Sequence, residues 1–157
     1  MDLLSTIIQD AFWSGLAALG FAILFNVPPR ALVWCALAGA LGHATQTLLM
    51  DRGAEIAPAT LVGASVVGVY AMCLARYQKM PSVVFSVVGV IPMVPGVFAF
   101  RTMISLLRIS TAKSDAALQE ALFSAFQNGV ITGLVLAALA AGIAAPTLLF
   151  ERRKPVV

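Results

Sequence analysis

Five runs of predominantly apolar residues, at roughly 7–26, 31–50, 57–75, 82–107 and 123–150, follow one another with only short polar connections. A helix needs about 20 such residues to cross the hydrocarbon core of a bilayer. Within that core every backbone N–H and C=O must find its partner inside the protein. The pattern predicts an all-α membrane protein with about five transmembrane helices, residues 1–157 forming a single transmembrane domain. Composition points the same way: 61% of residues are apolar and 11% charged, with a mean hydropathy of +0.97, well outside the range of an ordinary soluble domain.

The fourth run is interrupted by Val90-Ile91-Pro92-Met93-Val94-Pro95-Gly96. Proline has no N–H to donate, so Pro92 frees the carbonyl of Val88 and Pro95 that of Ile91. Proline is also well placed at a helix start, so Pro95 is expected to open a second half-helix, each half running to about ten residues. Its early donors are the N–H groups of Gly96, Val97 and Phe98, which carry the positive end of the helix dipole. Helical side chains lean toward the N-terminus, which brings the Arg101 guanidinium back toward the same spot. These residues predict a helix break at Pro92, Pro95 and Gly96, and an anion site built from Gly96, Val97, Phe98, Arg101 and Ser105. Transporters use discontinuous helices in this way near the bilayer midplane. The competing reading is a simple kink, with Arg101 snorkelling to an interface.

Arg101, Ser105 and Arg108 fall at i, i+4 and i+7, a polar stripe carrying two cations. Ser124, Asn128 and Thr132 recur every four residues and make a second stripe, read as part of a polar pathway. Small residues mark faces for close helix packing: Ala36, Gly39, Ala40 and Gly42, then Ala64 and Gly68, then Gly129, Gly133 and Ala137. His43, Gln46 and Thr47 share one face of the second helix and should point inward. His43 is the chain's one histidine, a candidate for proton coupling against the blander reading of a hydrogen-bonded core residue. Ser114 or Asp115 is expected to cap the last helix, and Glu151-Arg152-Arg153-Lys154 reads as a stop-transfer cluster.

With an odd number of spans the termini lie on opposite sides. Arg30, Arg76, Lys79, Arg152, Arg153 and Lys154 then share one side, against Arg52, Arg108 and Lys113 on the other. The positive-inside rule makes the first set cytoplasmic, with the N-terminus periplasmic and the C-terminus cytoplasmic. Asp2 and Asp10 make the N-terminus acidic, unlike a secretory signal, so the first apolar run is expected to be retained. The formal charge of +3 is scattered over segment ends without a basic helical face, so nucleic acid is not an expected partner. Cys35 and Cys73 read as small buried hydrophobes. The chain has no P-loop, HExxH, GxSxG or GxGxxG and no paired Cys/His ligands, so neither an enzyme nor a metal or cofactor is expected.

Three runs taken together resemble the small membrane subunit of the threonine/serine exporter family. They are Phe21-Ala22-Ile23-Leu24-Phe25-Asn26-Val27-Pro28 with Arg30-Ala31-Leu32 and Trp34-Cys35-Ala36, then Gly42-His43, then Val90 to Gly96 with Met103-Ile104-Ser105. The similarity is greatest to the small subunit of the two-part bacterial succinate exporters. It covers nearly the whole chain, and Asn26, Pro28, Arg30, His43, Pro92, Pro95 and Gly96 match most firmly. The resemblance implies a multi-pass protein of the bacterial inner membrane that exports a small carboxylate, succinate first, together with a large partner subunit. Threonine or serine export, a scaffold without substrate contact, and a homo-oligomeric channel are the alternatives.

Overall fold

The computed structural model describes residues 3–150. Among them all secondary structure is helical: α1 (Leu3–Leu24), α2 (Pro29–Asp51), α3 (Ile56–Gln78), α4 (Ser82–Val90), a 3₁₀ turn (Ile91–Met93), α5 (Gly96–Thr111) and α6 (Asp115–Phe150). Four helices, α1, α2, α3 and α6, are long and apolar enough to cross a membrane, and α4 with α5 supplies a fifth span when the interrupted pair is counted as one. This is the all-α membrane architecture expected from the apolar runs. Asp2 and the cluster Glu151-Arg152-Arg153-Lys154 lie outside the described residues.

Local chemistry sets the helix ends. At the end of α1, Asn26 adopts φ 56°, its N–H reaches Ile23 O at 3.0 Å and the Val27 N–H reaches Ala22 O at 2.9 Å. This is the Schellman pattern, with Asn tolerating the left-handed conformation that usually selects glycine. Pro29 then starts α2, where its missing N–H costs nothing. α2 stops the same way at Gly53, with φ 90°, through Gly53 N–H to Met50 O at 3.0 Å and Ala54 N–H to Leu49 O at 3.0 Å. At the start of α6, Ser114 rather than Asp115 supplies the cap, its Oγ accepting from the Ala117 N–H at 3.3 Å.

The chain forms two compact units. The first contains α1 to α4, the 3₁₀ turn and the part of α6 from Ala138; the second is Val94–Ala137, with α5 and the earlier part of α6. In the first unit, backbones come almost into contact. A Cβ on Gly39 would lie 2.6 Å from the Ala18 Cβ and 2.9 Å from Ser14 O, and one on Gly63 would lie 2.8 Å from Gly42 O. The core beside these crossings is correspondingly small-residue rich, with Ala18, Ala22, Ala31, Cys35 and Ala71 around Leu74, Phe85 and Val88. Cys35 is buried as expected. Cys73 is exposed, which corrects its reading as a buried hydrophobe: apolar flanks place a residue in a span but do not say whether it faces protein or lipid.

The break sits on the glycine faces. Pro92 Cγ lies 3.5 Å from the position a Gly39 Cβ would take, and the Met93 side chain comes within 3.2 Å of those of both Gly42 and Gly63. Pro146 disrupts α6 in a similar way by freeing the Gly142 carbonyl. Gly68 leaves room for both, since a Cβ there would lie 3.0 Å from Pro146 Cγ and 3.1 Å from Gly142 O.

In the second unit α5 runs for 16 residues, longer than the ten expected, because nothing stops it before Ala112. The Ser110 and Thr111 hydroxyls finish its last turn by donating to Leu107 O at 2.8 and 3.4 Å. The expected packing face on α6 shortens to Gly129, whose Cβ would meet Thr102 Cγ2 at 3.5 Å. Gly133 has nothing within 4 Å and Ala137 is exposed, because both lie further along α6, past the reach of Thr102.

The glycine crossings yield a direct stability test. Gly63→Ala adds a methyl where the Gly42 carbonyl sits and should destabilise the fold by about 1–3 kcal/mol, the usual cost of overpacking. Gly20→Ala, at a position with nothing within 4 Å, should leave stability unchanged or slightly raised. Thermal unfolding of the two variants in one detergent measures the difference.

Candidate functional site

The two polar stripes share a site. Arg101, Ser105 and Arg108 on α5 and Ser124 and Asn128 on α6 line one groove of about 360 Å³, together with Phe100 and Ile104. A second, of about 270 Å³, shares Ser105, Arg108 and Ser124 and adds Thr111, Lys113 and Glu120. At about 30 Å³ per water, each groove has room for roughly ten waters, or for a small organic acid with part of its hydration.

The side chains divide into those already satisfied and those still open. Asn128 Nδ2 donates to Ser124 O at 2.7 Å, and Thr132 Oγ1 donates to Asn128 O at 2.8 Å. These are i to i−4 bonds to their own helix, the arrangement that lets polar residues sit in an apolar span. Thr132 lines neither groove. By contrast, the hydroxyls of Ser105 and Ser124 and the guanidinium groups of Arg101 and Arg108 have no hydrogen-bond or ion-pair partner among the described residues. Ser105 is only 6% exposed, so its hydroxyl is held at the floor while the long arginine side chains stand at the rim. Arg101, Arg108 and Lys113 against Glu120 give the two grooves a formal charge of +2, counting three cations and one carboxylate. Donors in excess of acceptors, with net positive charge, suit a carboxylate, which accepts several charge-assisted hydrogen bonds and pairs with arginine in two-pronged geometry.

The backbone donors expected at the break lie elsewhere. The Gly96 N–H is consumed by a tight turn to Val94 O at 2.8 Å, and the Ala99 N–H by Pro95 O at 3.0 Å. This narrows the open amides to those of Val97 and Phe98, which have no backbone acceptor among the described residues. None of Gly96, Val97 and Phe98 lines either groove. First-turn N–H groups point back along the helix axis, whereas Arg101 lines the flank of α5 with Ser105 and Arg108. Pro92, half-buried, and Pro95, buried, are structural parts of the break.

His43 belongs to the first unit, with Gln46 and Thr47 on its face of α2. Gln46 is buried and donates to Thr60 Oγ1 at 2.6 Å. Thr47 donates to Asp10 Oδ2 on α1 at 2.8 Å. That last contact was passed over in the sequence: Asp10 reads as part of an acidic terminus, but it lies well inside the 22 residues of α1. The signal that identifies it is a carboxylate within an apolar span, which is a functional candidate by default. Glu120, on the exposed side of α6, joins Lys113 in the smaller groove although no spacing or motif in the sequence marks it. Among the described residues no cluster of His, Cys, Asp and Glu is arranged to hold a metal.

The chain matches the family described as Threonine/Serine exporter, ThrE, over residues 10–149. A protein of Haemophilus influenzae described as "Uncharacterized protein" is 42% identical over 152 residues, covering 96% of this chain and 50% of that protein. The chain thus spans about half the length of the curated relative it matches. No solved structure matches it. The family match takes in the apolar spans, the interrupted fourth helix and the charged grooves alike, and the chain is a member of the threonine/serine exporter family of membrane transport proteins.

Proposed function

We propose that the chain is the small membrane subunit of an exporter of small dicarboxylates, succinate first, and that the grooves along α5 and α6 contact the substrate. The observation that carries this reading is the pair of unpartnered guanidinium groups, Arg101 and Arg108, beside the open hydroxyls of Ser105 and Ser124. Two cations on one helix face suit an acid with two carboxylates. The formal charge of +2 in the grooves neutralises a dianion through charge-assisted hydrogen bonds.

Threonine or serine is the second reading, favoured by the family's description and by Glu120, whose carboxylate lines the smaller groove and suits an ammonium group. A zwitterion leaves two positive charges uncompensated in the grooves, so the dicarboxylate is the better electrostatic fit.

The small-subunit reading carries with it a large partner subunit, as the resemblance to two-part exporters implies, with the assembly in the bacterial inner membrane, N-terminus periplasmic and C-terminus cytoplasmic. The cation distribution along the loops supports this orientation.

Counterflow of labelled succinate and labelled threonine into vesicles tests the substrate. Succinate exchange is the expected result, and Arg101→Gln or Arg108→Gln should weaken it about 10- to 100-fold, as loss of a hydrogen bond to a charged group implies. Threonine exchange without succinate exchange would select the second reading. For the partner, vesicles holding this chain together with a protein equivalent to the unmatched half of the relative should exchange substrate, and vesicles holding either alone should not.

A further inference from the structure

We infer that Asp10 and His43 together bind one exchangeable proton inside the membrane-spanning bundle; that this proton drives export rests on the transport reading above, whereas the site itself does not.

α1 and α2 pack antiparallel, and their contact carries a polar cluster in otherwise apolar surroundings. Asp10 lies seven residues into α1, about 10 Å along the helix from its first residue. Its Oδ2 accepts the Thr47 hydroxyl at 2.8 Å. His43 stands one turn before Thr47 on the same ridge of α2, between Gly39, which meets Ser14 and Ala18 of α1, and Thr47, which meets Asp10. The His43 Nδ1 is buried and has no hydrogen-bond partner among the described residues. An unsatisfied buried ring nitrogen costs about 1–3 kcal/mol, and a lone carboxylate at this depth costs more unless it is neutralised.

Neither cost is met by other elements of the unit. α3 faces this region with Thr60, a neutral hydroxyl already engaged by Gln46 Nε2 and donating to Ile56 O at 2.6 Å. Between Glu55, which precedes α3, and Tyr70 that helix has no ionisable side chain, and α4 and the 3₁₀ turn have none at all. The arginines within the spans of this unit, Arg30 at the start of α2 and Arg76 in the last turn of α3, lie at the opposite ends of their helices from Thr47 and Thr60, and Arg52, which follows α2, is exposed. None of them forms an ion pair with Asp10 among the described residues, so a proton balances it instead. The proton resides either on the Asp10 carboxyl, leaving His43 neutral, or on the His43 imidazole as the counter-ion of an ionised Asp10. Both forms are electrically neutral overall, and loss of the proton leaves the carboxylate alone with the Thr47 hydroxyl. Binding and release of this proton break no other bond and need no further reactant.

A merely structural Asp10 would serve as well as Asn, whose carbonyl also accepts the Thr47 hydroxyl. Asp10→Asn thus removes the charge while keeping the contact. Infrared spectra of the full chain in nanodiscs, recorded across pH, should show a protonated-carboxyl band that titrates, is lost in Asp10→Asn, and shifts its midpoint in His43→Gln and in Thr47→Val. If Asp10→Asn does not fold, the two midpoint shifts decide. A spectrum with no titrating band sensitive to these substitutions overturns the site, and a band indifferent to His43→Gln overturns the pairing. These readouts need no substrate. In vesicles that exchange succinate, Asp10→Asn should retain counterflow and lose succinate-driven proton movement, read with an internal pH dye. Absence of succinate exchange in the unaltered protein would count against the transport reading and leave the infrared result standing.

Discussion

The fold depends on how closely its backbones approach one another. Apolar side chains gain little by leaving lipid for protein, so membrane helices associate through van der Waals contact, which small residues make possible. At Gly39, Gly42 and Gly63 the approach leaves no space for a methyl group. The same glycines receive Pro92 and Met93, so the place where the chain stops being helical is also the place where neighbouring backbone is nearest. An interrupted helix needs such a seat, because its irregular backbone is tolerated at membrane depth only where protein or water surrounds it. Gly68 gives Pro146 the same accommodation on α6.

The polar residues of the spans show two ways of living in an apolar medium. Asn128, Thr132, Thr102 and Thr60 bond to carbonyls of their own helices, which makes them self-sufficient. Ser105, Ser124, Arg101 and Arg108 do not. Side chains that could have been satisfied locally are instead left open along one groove. Their excess of donors and positive charge is what the proposed anion site rests on.

Much of this was legible in the sequence. Apolar run lengths located the spans within about four residues except at the start of the last, where the helix begins at Asp115 and not at 123, and the two prolines located the break, since proline's missing N–H acts wherever the residue stands. Four-residue spacing identified both polar stripes. Their meeting in one groove was not legible, because spacing fixes a face of a helix and not the neighbour that face meets. The same gap explains Cys73, which lies in a span but faces outward, and Gly133, a small residue with nothing to pack against. Asp10 was hidden by its position near the chain start, where a carboxylate is ordinarily solvated; only the antiparallel partner, Thr47, reveals that it belongs to the bundle. The backbone amides after Pro95 were read as a site on dipole grounds alone, and the tight turn that consumes the Gly96 N–H depends on local dihedrals that composition does not specify.

The most direct measurement of the central claim is protection of the groove floor. In a chain with Cys35 and Cys73 replaced, Ser105→Cys or Ser124→Cys places a single thiol among the arginines, where a negatively charged thiol reagent can reach it. Succinate should slow modification at both positions in a concentration-dependent way, with threonine far less effective. Modification at an unchanged rate under succinate concentrations that saturate transport would contradict the account.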